Sequence, residues 1–357
     1  LKSTFTLEQL GWNNHLMQHF TNSEAQGFEA GRVAIENKNN YTIFSSQGEL
    51  KGEISGRLQY TAHSEADLPK VGDWVSMQVF DQQAIIHGVL PRSTVFTRNA
   101  AGKRNQAQVI AANIDYLLIV QSADQNYNLR RLERYLVMAA EGGIAPVVVL
   151  SKVDLATDWQ QKMEELQSFD ADLPVISVSN TSAIGYKALS QWIKPGKTLA
   201  VVGSSGVGKS TLINHLLDTP QQATQTVRDK DDKGKHTTTR REMFITQNGS
   251  ILIDTPGMRE LQLWESKQGI GQVFTDVEVL AQDCHFGDCS HTNEIKCAVL
   301  AALDSGELSE ERYQSYLKLQ KEADYLESSA DFLRKKDARM KMIQKAYRQH
   351  KKNNPKR

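Results

Sequence analysis

The chain has 357 residues, 39% hydrophobic and 24% charged, enough to bury a real core and to form two or three domains. Lys plus Arg and Asp plus Glu both number 42, so the formal net charge is zero and no global basic field points to a polyanion. No apolar run approaches the roughly 18 residues of a membrane span, and the opening LKSTFTLEQLGW lacks the apolar core of a secretory signal, so a cytoplasmic protein with no membrane attachment is expected.

In chain order, residues 1–27 read as a polar, partly helical N-terminal extension. From 28 to 100 come short strands with glycines at their ends: GRVAIEN, YTIFSS, GELKGEISGRL, VGDWVSMQVF and QAIIHGVLPR. That spacing without a helical period predicts a small β-barrel of OB type, with a sandwich or meander as the alternative. From 101 to 265 the texture becomes strand then helix, repeatedly: IDYLLIVQSA, LRRLERYLVMAAEGG, APVVVLSK, DWQQKMEELQSF, LPVISVSN, IGYKALSQWI, TLAVVGSS, KSTLINHLL, MFITQ and SILIDTPG. Alternation of this kind predicts a mostly parallel sheet covered on both faces. Residues 266–357 hold all three cysteines, then charged helices.

Gly203, Ser204, Ser205, Gly206, Val207, Gly208, Lys209 and Ser210 match G-x-x-x-x-G-K-[ST], between an apolar strand and a helix that continues through Thr211. Glycines let backbone N–H groups turn inward on phosphates, and the helix N-terminus adds its positive end. Lys209 would reach the β- and γ-phosphates, and Ser210 would offer its hydroxyl to Mg²⁺. About 45 residues on, Asp254-Thr255-Pro256-Gly257 closes a strand as a D-x-x-G element, with Asp254 on Mg²⁺ through water and the Gly257 N–H sensing the γ-phosphate. Ser151, Lys152, Val153 and Asp154 follow strand VVVL and resemble the N-K-x-D guanine reader. The carboxylate can accept from guanine N1–H and its exocyclic amine, a pair adenine does not present. Serine in the asparagine place predicts weaker contacts to the loop or to guanine. Ser179 and Asn180 stand where the second base-side loop belongs. In the switch stretch GKHTTT, Thr239 is the first choice as Mg²⁺ ligand, with Thr237 and Thr238 open alternatives. Arg240 and Arg241 beside it are either solvated or on phosphate.

The order is permuted: base-reading loops precede the P-loop. Met258 follows D-x-x-G, where Ras-like enzymes keep a water-orienting glutamine, so unassisted hydrolysis is expected near or below ~10⁻³ s⁻¹. His236 is the candidate to position that water instead.

Cys284-x₄-Cys289-x-His291-x₅-Cys297 gathers three thiols and one imidazole, a Cys₃His set suited to one structural, tetrahedral Zn²⁺. Free thiols are the alternative, and His285 is a competing imidazole. An odd cysteine count in one cluster argues against disulfides and for a reducing compartment. Between Arg334 and Arg357 the chain carries nine further basic residues, Lys335, Lys336, Arg339, Lys341, Lys345, Arg348, Lys351, Lys352 and Lys356, against Asp337 alone, which suits a polyanionic partner.

Together, VGDWV, LPRSTVFTR, the order SKVD–GSSGVGKS–GKHTTT–DTPG, and the cysteine cluster followed by CAV resemble the family of small-subunit ribosome biogenesis GTPases called RsgA or YjeQ. The resemblance covers nearly the whole chain. It implies an N-terminal OB-fold, a central circularly permuted GTPase and a C-terminal zinc domain. It further implies binding to the small ribosomal subunit and its rRNA late in maturation, and GTP hydrolysis to GDP stimulated by that subunit. A GTP-controlled RNA-binding scaffold with negligible hydrolysis is the competing expectation. A monomer is expected, since nothing suggests an oligomer seam. Ser151 for asparagine, and Ser204 where the family often has aspartate, are the departures.

Overall fold

The computed structural model describes residues 5–37, 40–100, 107–170, 172–179, 181, 184–217, 241–255, 263–264 and 266–328. By internal contacts the chain divides into two compact units: 1–98 with 107–261, and 99–106 with 262–357.

In the first unit, Asn13 caps α1 (Asn14–Glu24) by accepting the Leu16 N–H at 3.0 Å. Leu16 and Phe20, one turn apart, bury one face of α1 with Leu10, Ala30, Trp74 and Leu90. The lead-in read as polar therefore packs on the barrel. Its few apolar residues are spaced to share a face, while its overall composition stays polar.

Five strands form the barrel: β1 (Glu29–Glu36), β2 (Tyr41–Ser45), β3 (Gly48–Ile54), β4 (Trp74–Phe80) and β5 (Gln83–Val89). They run in the order β1-β2-β3-β5-β4, and β4 returns to pair with β1. Alternating burial along β2 and β3 sends Tyr41, Ile43 and Leu50 inward to Val33, Val75, Met77, Ala84 and Ile86. The expected strand GELKGEISGRL stops at Ile54, because Ser55 Oγ accepts the Leu58 N–H and starts the helix α2 (Gly56–Thr61). The VGDW turn is locked. Gly72 has φ +90° and lies so close to the Ala112 carbonyl that a Cβ would meet it at 2.1 Å. Asp73 takes a two-pronged ion pair from Arg92 at 2.8 and 2.7 Å. Outside the barrel, β6 (Val95–Asn99) and β7 (Ala107–Ala112) form a two-stranded sheet that the sequence reading did not foresee.

The remaining strands are β8 (Tyr116–Ser122), β9 (Ala145–Ser151), β10 (Val175–Ser177), β11 (Thr198–Gly203), β12 (Glu242–Ile245) and β13 (Ile251–Asp254). They lie in the order β10-β9-β8-β11-β13-β12, the first five parallel and β12 antiparallel on β13. Near-continuous Val, Leu and Ile runs bury both faces of this sheet. Around it stand α3 (Leu129–Glu141), α4 (Trp159–Phe169), the single-turn α5 (Tyr186–Leu189) and α6 (Lys209–Leu217). α5 is shorter than the IGYKALSQWI segment expected to be helical. β12 also pairs with β1 at Glu242 and Ile35, which joins barrel and sheet into one run of strands.

The second unit contains α7 (Lys267–Val273), α8 (Thr275–Ala281), α9 (Ala298–Ser305) and a longer helix α10 over 310–328. The cysteine segment lies between α8 and α9. Among the described residues, no helix is long and apolar enough to cross a membrane.

Candidate functional site

The described residues of the P-loop, the base-side loops and the D-x-x-G element lie at or just after the carboxyl ends of parallel strands, where ligands bind in open α/β sheets. Register sets Gly203 of β11 opposite Val120 of β8, Asp254 of β13 opposite Val201, and Ser151 of β9 opposite Ser122. Counting from β11 as first strand, the order across the sheet becomes 6-5-4-1-3-2, a single doubly wound sheet whose chain starts partway round.

The P-loop turns sharply after β11. Gly203 has φ +148°, and a Cβ there would meet the Val120 carbonyl at 2.5 Å, so only glycine fits. Gly206 and Gly208 also have positive φ, at 80° and 94°. Ser205 and Gly206 are exposed, while Val207 is buried in the sheet core. Lys209 Nζ donates to the Gly203 carbonyl at 2.9 Å and to the Ser204 carbonyl at 2.6 Å. Burial lowers its pKa from 10.5 to about 8, opposed by the charge of Asp254. Ser210 and Thr211 are half-buried in the first turn of α6. Asp254 is 6% exposed, and the Thr255 hydroxyl donates to the Val201 carbonyl at 2.8 Å, fixing the end of β13.

Ser151 closes β9. Its buried hydroxyl donates to the Val207 carbonyl at 2.6 Å and lies 3.2 Å from the Gln121 carbonyl, tying the base-side strand to the P-loop. Lys152 takes the left-handed backbone, φ 58°, and its Nζ meets Asp124 at 2.9 Å. Val153 is buried and Asp154 exposed. The Thr181 hydroxyl donates to Asp154 Oδ2 at 2.7 Å, and Ser179 Oγ lies 3.1 Å from that same hydroxyl. Thr181 first, then Ser179, hold the Asp154 carboxyl below the usual carboxylate range despite some desolvation. The carboxylate is thus ionised and oriented.

Sequence reasoning missed Asp124, Thr181 and Arg131. Asp124 is pushed up by burial but held low by the Ser122 hydroxyl and by Lys152. Arg131 of α3 donates to Ser204 Oγ at 3.0 Å. Asp124 had a signal, since it follows the end of β8 as Asp154 follows β9; the other two are contacts between distant segments. Arg241 donates to the Val109 carbonyl of β7. Asn180, Arg240, His236, Gly257, Met258, Thr237, Thr238 and Thr239, and the basic tail from Arg334, lie outside the described residues.

In the second unit, the ligand atoms of Cys284, Cys289, His291 and Cys297 all lie within 4.8 Å of one another. Cys284 Sγ is 3.8 Å from Cys297 Sγ, and His291 Nδ1 is 3.6 Å from Cys284 Sγ and 3.5 Å from Cys297 Sγ. A tetrahedron with metal–sulfur bonds of about 2.3 Å and a metal–nitrogen bond of about 2.0 Å has edges of roughly 3.8 and 3.5 Å, so this set can hold one metal ion. His285 is not part of it. The group is braced from outside: the Tyr313 hydroxyl donates to the His291 carbonyl at 2.6 Å, and Cys297 caps α9 by accepting the Leu300 N–H at 3.5 Å.

A family profile described as RsgA GTPase matches residues 89–264. A second, described as ABC transporter, matches 186–355, a segment that includes the P-loop strand and helix. The small ribosomal subunit biogenesis GTPase RsgA of Opitutus terrae is 41% identical over 337 residues, 91% of this chain and 92% of that protein. RsgA 2 of Listeria monocytogenes serotype 4b is 42% identical over 353 residues, 98% of this chain and 99% of that one. Among solved structures, YjeQ from Thermotoga maritima superposes with a TM-score of 0.62 at 25% identity, over 83% of this chain and 98% of that one. YloQ, titled a circularly permuted GTPase, gives 0.58 at 23%, over 83% and 95%, and supports the fold. With permuted strand order, P-loop, base-side loops and Cys₃His cluster in one chain, and relatives above 40% identity along its length, this protein belongs to the RsgA GTPase family.

Proposed function

We propose that this protein is a GTP hydrolase that binds the small ribosomal subunit late in its maturation and is stimulated by it. The observation that carries the reading is the joint between base side and phosphate side: the Ser151 hydroxyl on the Val207 carbonyl, with the Asp154 carboxylate oriented by the Thr181 hydroxyl. Asp154 would read guanine, Lys152 would lie along the base, and Ser179 and Asn180 would complete the base side. The 203–211 backbone would cradle phosphates, with Lys209 as their cation. Ser210, Asp254 and Thr239 offer only oxygen donors, as Mg²⁺ prefers, and Mg²⁺ would neutralise charge developing on the γ-phosphate. Gly257 would sense that phosphate and His236 would position water. The four-residue cluster would hold one structural Zn²⁺. The reading divides the chain into an extension (1–27), an OB barrel (28–100), a permuted GTPase (101–265) and a zinc domain with a basic tail (266–357). It makes the protein a cytoplasmic monomer that contacts rRNA through the barrel and tail.

The test is multiple-turnover hydrolysis of GTP and ATP with and without purified small subunits, in wild type and Lys209→Ala. Stimulation of at least tenfold for GTP alone, absent in Lys209→Ala, is the expected result. GTP-controlled subunit binding without turnover would replace the enzyme by a scaffold, and equal turnover of ATP would overturn the base assignment.

A further inference from the structure

We propose that Arg131 is a positioning residue for the P-loop, acting through Ser204 on the placement of Lys209. This rests on the reading of residues 203–211 as the phosphate site. Asn128 caps α3 and accepts the Arg131 N–H at 2.9 Å, which fixes the first helical turn against the loop before it. From that turn, Arg131 Nη1 donates to the Asn126 carbonyl at 3.3 Å and to Ser204 Oγ at 3.0 Å. The P-loop is thereby held at consecutive residues from two directions. Gly203 lies hard against the Val120 carbonyl, and Ser204 is gripped by a cation on α3.

These are the same two residues whose carbonyls take Lys209 Nζ, at 2.9 and 2.6 Å. The Ser204 peptide is therefore shared: its side chain answers to Arg131 and its carbonyl to Lys209. A change in the first contact turns the peptide plane and moves the ammonium that a phosphate must meet. Displacements of about 1 Å matter at such a site. Arg130, the neighbouring cation, is engaged by Glu133 and does not substitute. A charge-assisted hydrogen bond at a half-buried site is stronger than a neutral one and weaker than a fully buried ion pair. The effect expected on nucleotide affinity is about five- to tenfold, or about 1–1.4 kcal/mol.

The experiment measures the Kd for methylanthraniloyl-GDP with Mg²⁺, and kcat and KM for GTP. The proteins are the full-length wild type, Arg131→Ala, Arg131→Lys, Ser204→Ala and Arg131→Ala/Ser204→Ala, with thermal melting of each. Arg131→Ala and Ser204→Ala should each weaken affinity five- to tenfold, with the loss in KM rather than kcat. The double variant should be no weaker than the weaker single, because both remove one link. Arg131→Lys, which keeps the charge, should recover part of the loss. Melting temperatures near the wild-type value would separate positioning from folding. Wild-type affinity in Arg131→Ala, or losses that multiply in the double variant, would overturn the link between Arg131 and Ser204 alone. A wild type that binds no guanine nucleotide would overturn the phosphate-site reading and this inference with it.

Discussion

Raising the pH from 7 to 9 should weaken GTP binding about tenfold through Lys209. In the free protein, burial brings the pKa of this ammonium down from 10.5 to about 8. Phosphate charge beside it in a complex would restore at least the ordinary value, because a triphosphate stabilises the charged form. The free protein then loses the proton through pH 8 while the complex keeps it. Affinity is intact below that pH and falls above it. With those two pKa values the Kd rises about twofold by pH 8 and about tenfold by pH 9, close to 1.4 kcal/mol over that range. The Lys209 contribution to stability runs the other way. Between pH 8 and 10.5 the unfolded chain holds the proton more tightly than the folded one, so folding gains as pH rises through this window. Weakened binding is therefore not incipient alkaline unfolding at this group. The assay is an equilibrium titration with methylanthraniloyl-GTP analogue and Mg²⁺ at fixed ionic strength from pH 6.5 to 9. A flat profile in wild type, or the same slope in Lys209→Ala, would refute the reasoning.

Chelation with phenanthroline should release one zinc per chain and melt the helices around 284–297, since structural zinc supplies on the order of 10 kcal/mol to small domains; unchanged circular dichroism after metal loss would contradict this. Arg92→Ala leaves the fully buried Asp73 carboxylate without its two-pronged partner and should cost about 3–5 kcal/mol in urea unfolding. A cost below about 1 kcal/mol would mean that water reaches Asp73. Ser151→Ala removes the donor to the Val207 carbonyl and should weaken GTP binding by about 1–3 kcal/mol, whereas Ser151→Asn, which keeps a donor, should bind within about threefold of wild type. Asp154→Asn should erase the preference for guanine over adenine nucleotides in competition titrations.

The parallel strands were legible because each is an apolar run of strand length closed by a glycine, serine or acid, and the motifs sit at those closures. The first 27 residues were less legible. Their average polarity hides Leu10, Leu16 and Phe20, and only the barrel wall shows why those three matter. The β6–β7 pair fell at the seam between two textures, where β-propensity has no neighbouring pattern to support it. In the candidate site, residue type and spacing alone singled out Lys209, Asp154 and the three cysteines and one histidine whose ligand atoms lie within 4.8 Å of one another. Thr181 and Arg131 belong to contacts made across 27 and 73 residues of chain, and no local pattern marks them. Ser151 is a subtler case. Serine in the asparagine place left open whether its contact would go to the loop or to guanine, and its hydroxyl reaches the P-loop carbonyl of Val207.

That contact also explains how a permuted chain keeps the site. A nucleotide site of this kind needs the carboxyl edges of neighbouring strands in fixed register, and the order of the strands along the chain does not enter that requirement. Here β11 is flanked by β8, which carries Asp124 just beyond its end, and by β13, which ends in Asp254. β9 lies one strand farther on, yet Ser151 spans β8 through the Gln121 carbonyl to reach Val207. The proposed base side and phosphate side are thus joined by hydrogen bonds across the sheet rather than by chain connectivity. Moving the termini leaves those bonds untouched. What permutation does change is the segment that follows β13: with the base-side loops already made, the chain after Asp254 is free to lead into the helices and cysteines of the second unit.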